Sequence, residues 1–374
     1  MKYMGSKRWM LQNGLGMLLR AECADANRFV DLFAGSGAVA CFVAEKTSLL
    51  VLASDLQAFS VVLSEAIIGR EKAFDADGIW SEWLKQGERL FPDRPVQDGG
   101  KLTQTEVFDC RAWSEQQTSW PFVQAYGGHY YSPKQALWID ILRRTLPERK
   151  PFRTVALAAL IHAASRCAAS PGHTAQPFQP TRRAKKFLKE AWSKDILTCT
   201  QQALATIASH CAIRKGSASV ADAITAAQRL KPGDIAFIDP PYSGVQYSRF
   251  YHVLEAIASG EPGVVTGAGR YPARTIRPQS RFSMKTHSRG VLHDLLGTIA
   301  ERQAKAILTF PDHKCSNGLS GDIIRETAAE FFWVTVKTVV SKFSTLGGNN
   351  SKGGNGREAR QMARELILSL TPKK

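Results

Sequence analysis

The segment Asp239-Pro240-Pro241-Tyr242 places a carboxylate, two prolines and an aromatic ring directly after the apolar run Gly233–Ile238. Each proline fixes its φ angle and lacks a backbone N–H, so carbonyl groups of the turn are left as acceptors. The Asp239 carboxylate and the Pro240 carbonyl could accept both hydrogens of an –NH2 group and aim its lone pair at an electrophile. The ring of Tyr242 offers a flat face for stacking. The segment therefore predicts a site that activates an amine on an aromatic ring; a strand followed by a rigid turn is the alternative.

A second motif, Asp31–Gly37, reads Asp-Leu-Phe-Ala-Gly-Ser-Gly and follows another apolar run. Glycine is needed where a ligand approaches the backbone closely or where φ is positive. Asp55 follows about 20 residues after the first glycine, a spacing suited to gripping ribose hydroxyls. This pattern indicates a ligand that contains adenosine, and by itself it does not decide between NAD and S-adenosylmethionine or exclude a turn without a ligand. The amine-activating site favours S-adenosylmethionine. The candidate ligand-binding residues are Asp31, Phe33, Gly35, Gly37 and Asp55.

Short apolar runs with the length of buried strands carry these motifs. Helical composition follows the first run, at Ala38–Lys46. Strands that alternate with helices predict an α/β fold with a doubly wound, Rossmann-like parallel sheet. A stretch rich in Gly and Asn, Gly347–Gly356, is predicted to be a flexible loop. The predicted strands are Arg28–Phe33, Leu49–Ala53, Gly233–Ile238, Lys305–Phe310, Phe331–Lys342 and Glu365–Leu370.

Residues 66–212 have a different character. Four of the eight Trp residues, at positions 80, 83, 113 and 120, lie in a stretch interrupted by Gly and Pro. Trp138, an Ala-rich helical segment near 153–169 and another helix near 183–209 follow. No strand–turn–helix pattern is repeated there. We therefore predict a mostly helical insertion at 66–212 between two parts of the sheet domain, residues 1–65 and 213–374.

Composition limits the classes of protein and of partner. The 374 residues are 44% hydrophobic and 22% charged, which is typical of a globular protein. The net charge of +16 favours a polyanionic partner, first nucleic acid and second an anionic membrane surface. Seven scattered Cys residues without a Cys-x-x-Cys pair indicate neither a disulfide framework nor a metal site. Neither a signal peptide nor an apolar run of membrane-spanning length is present, so a soluble, cytoplasmic protein is expected.

Two basic clusters could contact nucleic-acid phosphates. Residues 182–189 and 270–289 contain several Lys and Arg residues and no Asp or Glu. The second cluster has a spacing of three to four, but Pro272 and Pro278 argue against one continuous helix. A basic loop along a phosphate backbone is therefore predicted, and a solvated charged face is the alternative. The candidate contacts are Arg182, Arg183, Arg270, Arg274, Arg277, Arg281 and Lys285.

Together, these motifs resemble the Dam-type DNA adenine-N6 methyltransferases, in the arrangement with the cofactor motif first and the catalytic motif last. The likeness covers the sheet domain, and 66–212 then corresponds to the target-recognition region. The segments that carry it are Tyr3-Met4-Gly5-Ser6-Lys7, Asp31–Gly37, Asp55 and Asp239–Tyr242.

The resemblance also implies roles for single residues. Tyr3 and Lys7 would contact S-adenosylmethionine, with Lys7 facing the methionine carboxylate; without the resemblance, Lys7 is part of a solvated terminus. Asp222 would lie near the cofactor adenine, although capping a helix is a close alternative. Asp239 would adjoin the cofactor as well as the amine.

The implied function is transfer of a methyl group from S-adenosylmethionine to the N6 amine of an adenine flipped out of double-stranded DNA. Asp239 and Pro240 would hold the amine and Tyr242 would stack on the base, without a metal. Phe250 and Tyr251 could wall the base pocket or pack in the core. An RNA adenine methyltransferase and a DNA-binding protein with an inactive methyltransferase domain remain alternatives, and the sequence does not indicate whether a cognate restriction endonuclease exists.

Overall fold

A computed structural model describes residues 1, 3, 5–93, 95–98, 100–344 and 360–373, so the predicted loop Gly347–Gly356 lies outside the described residues. A π-helical turn, Leu11–Leu15, joins the first two helices. The α-helices are α1 (Arg8–Met10), α2 (Gly16–Cys23), α3 (Ala38–Lys46), α4 (Ala58–Ile68), α5 (Ala76–Glu88), α6 (Gln104–Glu115), α7 (Pro121–Tyr126), α8 (Pro133–Arg144), α9 (Phe152–Cys167), α10 (Lys185–Trp192), α11 (Ile196–Ser209), α12 (Ala223–Ala227), α13 (Tyr247–Phe250), α14 (His252–Ser259), α15 (Ser288–Glu301) and α16 (Gly321–Phe331). The strands are β1 (Arg28–Asp31), β2 (Leu50–Asp55), β3 (Ser217–Val220), β4 (Ile235–Ile238), β5 (Val265–Thr266), β6 (Tyr271–Pro272), β7 (Lys305–Pro311), β8 (Phe332–Ser344) and β9 (Arg360–Pro372).

The chain divides into two units, which are described separately. The predicted insertion, 66–212, falls in the first unit except for its last residue, and this unit also contains a segment that follows the Asp239 motif. The helical unit is Met1–Tyr3, Gln57–Cys211 and Ser248–Pro278. The sheet unit is Met4–Leu56, Ala212–Tyr247 and Gln279–Lys374.

The sheet unit contains one sheet of seven strands among the described residues, in the order β3-β2-β1-β4-β7-β9-β8. Strands β3, β2, β1, β4 and β7 are parallel to one another. Strand β9 is antiparallel to both β7 and β8, so it inserts between them. The predicted Rossmann-like α/β fold is confirmed, with a sheet that is mostly rather than wholly parallel.

Alternate residues of the central strands build the core of the sheet unit. One cluster of buried side chains lies against Val30 of β1 and Leu32, the residue after β1. The same cluster includes Ala236 and Ile238 of β4. Helices α12, α15 and α16 contribute the other side of this cluster. This cluster therefore covers one face of the central strands.

The helical unit contains α4 to α11, α14 and a two-stranded ribbon of β5 and β6. The predicted Ala-rich helix is α9, which packs against α4, α11 and α14. The predicted helix near 183–209 is two helices, because Asp195 begins the second by accepting hydrogen bonds from the N–H groups of Leu197 and Thr198. Glu255 of α14 accepts from the N–H groups of Ala58 and Phe59 at the start of α4, which ties segment 248–278 to this unit.

None of the helices in the described ranges of the chain combines the length and the apolar composition that a lipid bilayer requires. No group of three His, Cys, Asp or Glu side chains in those ranges is placed to hold a metal ion.

Candidate active site

Adjacent parallel strands end at the predicted site residues. Strand β1 ends at Asp31, β2 ends at Asp55, and Asp239 directly follows β4. Asp222 follows β3, and the N–H of the preceding Ala221 donates to the Asp55 carbonyl at 3.1 Å. Because these strands are neighbours and parallel, their carboxyl ends share one edge of the sheet, which is where ligands bind in α/β sheets. The sheet therefore brings together residues that are far apart in sequence.

The glycine turn after β1 is tied to the end of β2. Gly35 and Gly37 have φ angles of +51° and +73°, which side chains rarely adopt. The N–H of Gly35 donates to Asp55 Oδ2 at 2.8 Å, and the N–H of Ala34 donates to the carbonyl of Ser54 at 2.9 Å. Asp55 therefore shapes the turn itself.

Asp31 is almost fully buried, with 1% of its surface exposed. Its Oδ1 accepts a hydrogen bond from the N–H of Phe33 at 3.2 Å. Burial raises the pKa of Asp31 to about 8; the Phe33 N–H opposes this shift, and the charges of Asp239 and Asp55 add to it. Asp31 is therefore mostly protonated at neutral pH in the free protein.

Lys7 is a buried residue of the site, with 4% of its surface exposed, so the reading of a solvated terminus is wrong. Its Nζ lies 3.0 Å from Asp239 Oδ1 and 3.2 Å from Glu365 Oε2. Burial disfavours the ammonium, but the two carboxylates outweigh it and raise the pKa of Lys7. In the structure Lys7 therefore faces two protein carboxylates, whereas the resemblance implies that it faces the cofactor's carboxylate.

Asp239 receives its protein hydrogen bonds on one oxygen. Besides Lys7, Thr309 of β7 donates its hydroxyl to Oδ1 at 2.9 Å. Among the residues that the structure describes, no donor reaches Oδ2 of Asp239 or the carbonyl oxygen of Pro240. Burial raises the pKa of Asp239, and Lys7 opposes that shift. The turn thus leaves two oxygen atoms to which no described protein group donates, Asp239 Oδ2 and the Pro240 carbonyl.

The remainder of this turn is braced by the loop after β7. The side-chain amide of Asn317 donates to the carbonyl of Pro241 at 2.7 Å, and the hydroxyl of Ser316 accepts from the N–H of Gly244 at 2.9 Å. Asn317 and Ser316 were not predicted from the sequence, and no motif there indicates them. Thr309 and Glu365 were likewise missed, because each lies within an ordinary apolar strand.

Tyr242 is half-buried and packs against the core of the sheet unit. The Tyr247 ring meets it edge-on, with the ring centres 6.4 Å apart. A Cβ atom at Gly5, where φ is +75°, would lie 2.5 Å from the Tyr242 hydroxyl. The Gly5 position in the N-terminal motif therefore requires glycine so that the chain can pass the tyrosine.

Two residues implied by the resemblance have structural contacts of their own. Asp222 begins α12 by accepting from the N–H of Ile224 at 2.9 Å, which is the capping role considered as its alternative. Tyr3 belongs to the helical unit, where its ring stacks on Tyr251 at 4.8 Å between ring centres. Met4, between Tyr3 and Gly5, lies outside the described residues.

The aromatic residues after the turn pack within the helical unit. Phe250 and Tyr251 are 4% and 0% exposed, so they are core residues of that unit. His252 is also buried, and burial lowers its pKa to about 4, so its ring is neutral at physiological pH.

The two basic clusters are mostly exposed. Residues 270–289 contain a strand, two short 3₁₀ turns and the start of α15, so the prediction that no continuous helix forms here is confirmed. Arg270 differs from the others, because its guanidinium donates to the carbonyls of Ala125 and Gln124 and pairs with Glu115. The exposed members of the predicted set are Arg182, Arg183, Arg274, Arg281 and Lys285.

Arg277 is partly buried against an aromatic ring. Its guanidinium carbon lies 5.5 Å from the centre of the Tyr271 ring, and that of Arg249 lies 4.8 Å from the same centre. Burial lowers the pKa of Arg277, and the like charges of Arg249 and Arg274 add to this shift. Arg249, which was not predicted from the sequence, thus joins the basic side chains of the helical unit.

A family model and a curated relative match the chain. The model of the D12 class N6 adenine-specific DNA methyltransferases matches residues 3–98 and 147–269, more than half of the chain. "Modification methylase LlaI" of Lactococcus lactis subsp. lactis is 28% identical over 311 residues, which are 80% of this chain and 44% of that protein. The chain therefore spans less than half the length of this relative.

Proposed function

The chain belongs to the D12 class of N6 adenine-specific DNA methyltransferases, and we propose that it transfers a methyl group from S-adenosylmethionine to the N6 amine of adenine in double-stranded DNA. The observation that supports this most directly is the pair of acceptors at Asp239 Oδ2 and the Pro240 carbonyl, since an exocyclic amine has two hydrogens to donate. The likeness to a modification methylase supports methylation at a specific recognition sequence.

The acidic residues at the end of the central strands suit a positively charged cofactor. Asp31, Asp55 and Asp239 meet at one edge of the sheet, and the charges of Asp239 and Asp55 add to the effect of burial in raising the pKa of Asp31. When bound, S-adenosylmethionine supplies a methyl group on a positively charged sulfur, which makes that group an electrophile. A cation in contact with this edge would relieve the repulsion.

Individual contacts to the cofactor follow from the position of each residue. Asp55 would hold the ribose hydroxyls, and Gly35 and Gly37 would allow close approach to the backbone. Asp222 would lie near the adenine, because it adjoins the end of β2. The Phe33 ring, which packs edge-on to Phe282 at 5.1 Å, would line the same pocket.

The chemistry requires positioning and little else from the protein. Asp239 Oδ2 and the Pro240 carbonyl accept the two amine hydrogens, which fixes the amine with its lone pair exposed. Tyr242 stacks on the extruded base, whose removal from the duplex costs roughly a few kcal/mol. The proton is lost after the N–C bond forms, when it has become acidic, so solvent can accept it. Orientation of this kind can lower a barrier by roughly 7–11 kcal/mol.

The helical unit is proposed to read the target sequence, with residues 66–212 as its main part. Its exposed basic side chains would contact DNA phosphates, and Arg277 and Arg249 would add a pair of guanidinium groups fixed on Tyr271. We leave Arg270 out of this set because its donors are used within the unit. In the helical unit the proposed phosphate contacts are Arg182, Arg183, Arg249, Arg274 and Arg277, and in the sheet unit they are Arg281 and Lys285.

Mass analysis of nucleosides tests this function. The protein would be incubated with S-adenosylmethionine and either duplex DNA or duplex RNA that contains every short sequence. We expect N6-methyladenine in the DNA only, confined to one recognition sequence. N4-methylcytosine, or methylation of the RNA alone, would contradict the proposal.

A further inference from the structure

Glu365 and Asp239 share the ammonium group of Lys7. Glu365 Oε2 lies 3.2 Å from Nζ and Asp239 Oδ1 lies 3.0 Å from it. We propose that Glu365 is a positioning residue for methyl transfer, which acts through Lys7 to keep Asp239 in place and to set its charge. This inference rests on the proposed function, in which Asp239 must be ionised to accept an amine hydrogen.

The fold fixes Glu365 at this place. Strand β9 pairs antiparallel with β7, and Glu365 is the register partner of Pro311, two residues beyond Thr309. Thr309 donates to the same oxygen of Asp239 that Lys7 contacts. Glu365 is 6% exposed, and a buried carboxylate is costly unless it is paired. Lys7 provides that pairing, so the position of Lys7 depends on both acids.

Charged groups from several elements face Asp239. Lys7, from the segment before α1, favours the ionised carboxylate. Glu365, from β9, disfavours it, and burial disfavours it most. Asp31, from β1, also interacts with Asp239 through its charge. The hydroxyl of Thr309, from β7, stabilises the ionised form by hydrogen bonding.

The pairing of Lys7 with a second carboxylate, that of Glu365, affects how strongly Asp239 accepts a hydrogen bond. A carboxylate that is neutralised by a close ammonium is a weaker acceptor for a neutral amine. Because Glu365 competes for the same ammonium, Lys7 neutralises the ionised Asp239 less completely, and Asp239 remains a stronger acceptor for the ligand that meets Oδ2. Both donors lie on Oδ1, so this arrangement holds Asp239 without covering the acceptor that the amine uses.

The pH profile of kcat/KM tests the assignment, since its acid limb reports ionisation in the free enzyme. Glu365→Gln removes a like charge beside Asp239, so the pKa of Asp239 should fall and the acid limb should move to lower pH by about one unit. Lys7→Met removes the opposite charge and should move the limb to higher pH. Glu365→Asp, which keeps the charge, should leave the limb close to that of the wild type.

Glu326→Gln is the matched control, because Glu326 is exposed on α16 and the chemical change is the same. It should leave the profile unchanged. A Glu365→Gln profile that stays in place, or that moves to higher pH, would overturn the inference. Circular dichroism melting would show whether each variant is folded.

An independent readout needs neither cofactor nor DNA. The carboxyl carbon of Asp239 can be followed by ¹³C NMR through a pH titration of the whole chain, and identified by its loss in Asp239→Asn. Its midpoint should be lower in Glu365→Gln than in the wild type, and an equal midpoint would overturn the inference. A wild-type protein that makes no N6-methyladenine would instead contradict the proposed function, and the titration would still decide whether Glu365 controls Asp239.

Discussion

Asn317 holds the Asp239 turn from a loop more than 70 residues further along the chain. Its Nδ2 donates to the carbonyl oxygens of Pro241 at 2.7 Å and Phe282 at 3.0 Å, and its Oδ1 accepts from the N–H of Leu319 at 3.2 Å. The side chain is fully buried. Asn317 thereby occupies the Pro241 carbonyl, whereas no described protein group donates to the Pro240 carbonyl.

Replacement of Asn317 should affect the reaction more than the binding of cofactor. Asn317→Ala leaves two buried carbonyl groups without their donor, so the free energy of unfolding should fall by about 1–3 kcal/mol. The turn would also move, and kcat should fall by about 10- to 100-fold. Steady-state kinetics and chemical denaturation check this, with Asn13→Ala as the control, because Asn13 is exposed and donates only to Trp9. Unchanged kcat in a folded Asn317→Ala protein would show that the brace is not needed.

Removal of the Asp55 carboxylate should weaken binding of S-adenosylmethionine. Hydrogen bonds to a charged group contribute about 1.5–3 kcal/mol, so Asp55→Ala should raise Kd by at least about 10-fold. Loss of the hydrogen bond from the Gly35 N–H would also loosen the glycine turn, which should raise Kd further. Calorimetry measures this, and the exposed Asp25→Ala is the control. Equal affinities in the two variants would refute the ribose assignment.

Binding of the cofactor should release a proton from Asp31. With a pKa of about 8, Asp31 is largely protonated at pH 7 in the free protein, and a bound cation favours its ionised form. Affinity should therefore rise as pH increases toward about 8. Calorimetry in buffers of different ionisation enthalpy counts the protons released, and Asp31→Asn should release fewer. The same count in both proteins would contradict this prediction.

The raised pKa of Asp31 also predicts how the stability of the free protein depends on pH. Protonation of Asp31 in the folded state stabilises it at low pH, and this contribution is lost as the pH rises through about 8. The free energy of unfolding of Asp31→Asn, relative to that of the wild type, should therefore be higher at about pH 8 than at about pH 5. Urea denaturation at the two pH values measures the difference, and a constant difference would contradict the assignment.

Neutralising Arg277 and Arg281 should weaken binding to all DNA sequences about equally. Each lost phosphate contact should reduce the slope of log K against log salt by about one. Fluorescence anisotropy at several salt concentrations measures this slope for Arg277→Gln and Arg281→Gln. The exposed Arg302→Gln, outside both basic clusters, is the control. Loss of affinity for one sequence alone, with an unchanged slope, would indicate base reading.

The convergence of Asp31, Asp55 and Asp239 could be predicted from the sequence, because each follows an apolar strand and parallel strands share an edge. Glu365 and Thr309 could not, since they stand inside strands whose apolar pattern gives no sign of a polar partner. The burial of Lys7 was likewise hidden, because it depends on a carboxylate from the last strand. Pairing of this kind is set by tertiary structure and leaves no local pattern.

The boundaries of the helical unit could not be predicted from the sequence pattern either. Segment 248–278 comes shortly after the Asp239 motif, so its position in the sequence predicts that it belongs to the sheet domain. Glu255, whose carboxylate caps α4 almost 200 residues earlier in the chain, places the segment in the helical unit instead. Arg270 belongs to a basic run by composition, and only its contacts with α6 and α7 reveal that it holds the unit together.

The single-turnover rate of Asp239→Ala tests the central claim, that this carboxylate acts on the amine. The variant should be folded and should bind S-adenosylmethionine and DNA, because the sheet and the proposed phosphate contacts are intact. Loss of one preorganised polar contact is typically worth 10²–10³ in rate, so methyl transfer should be at least ~100-fold slower than in the wild type. A folded Asp239→Ala protein that binds both ligands and transfers the methyl group at a near-normal rate would contradict the account.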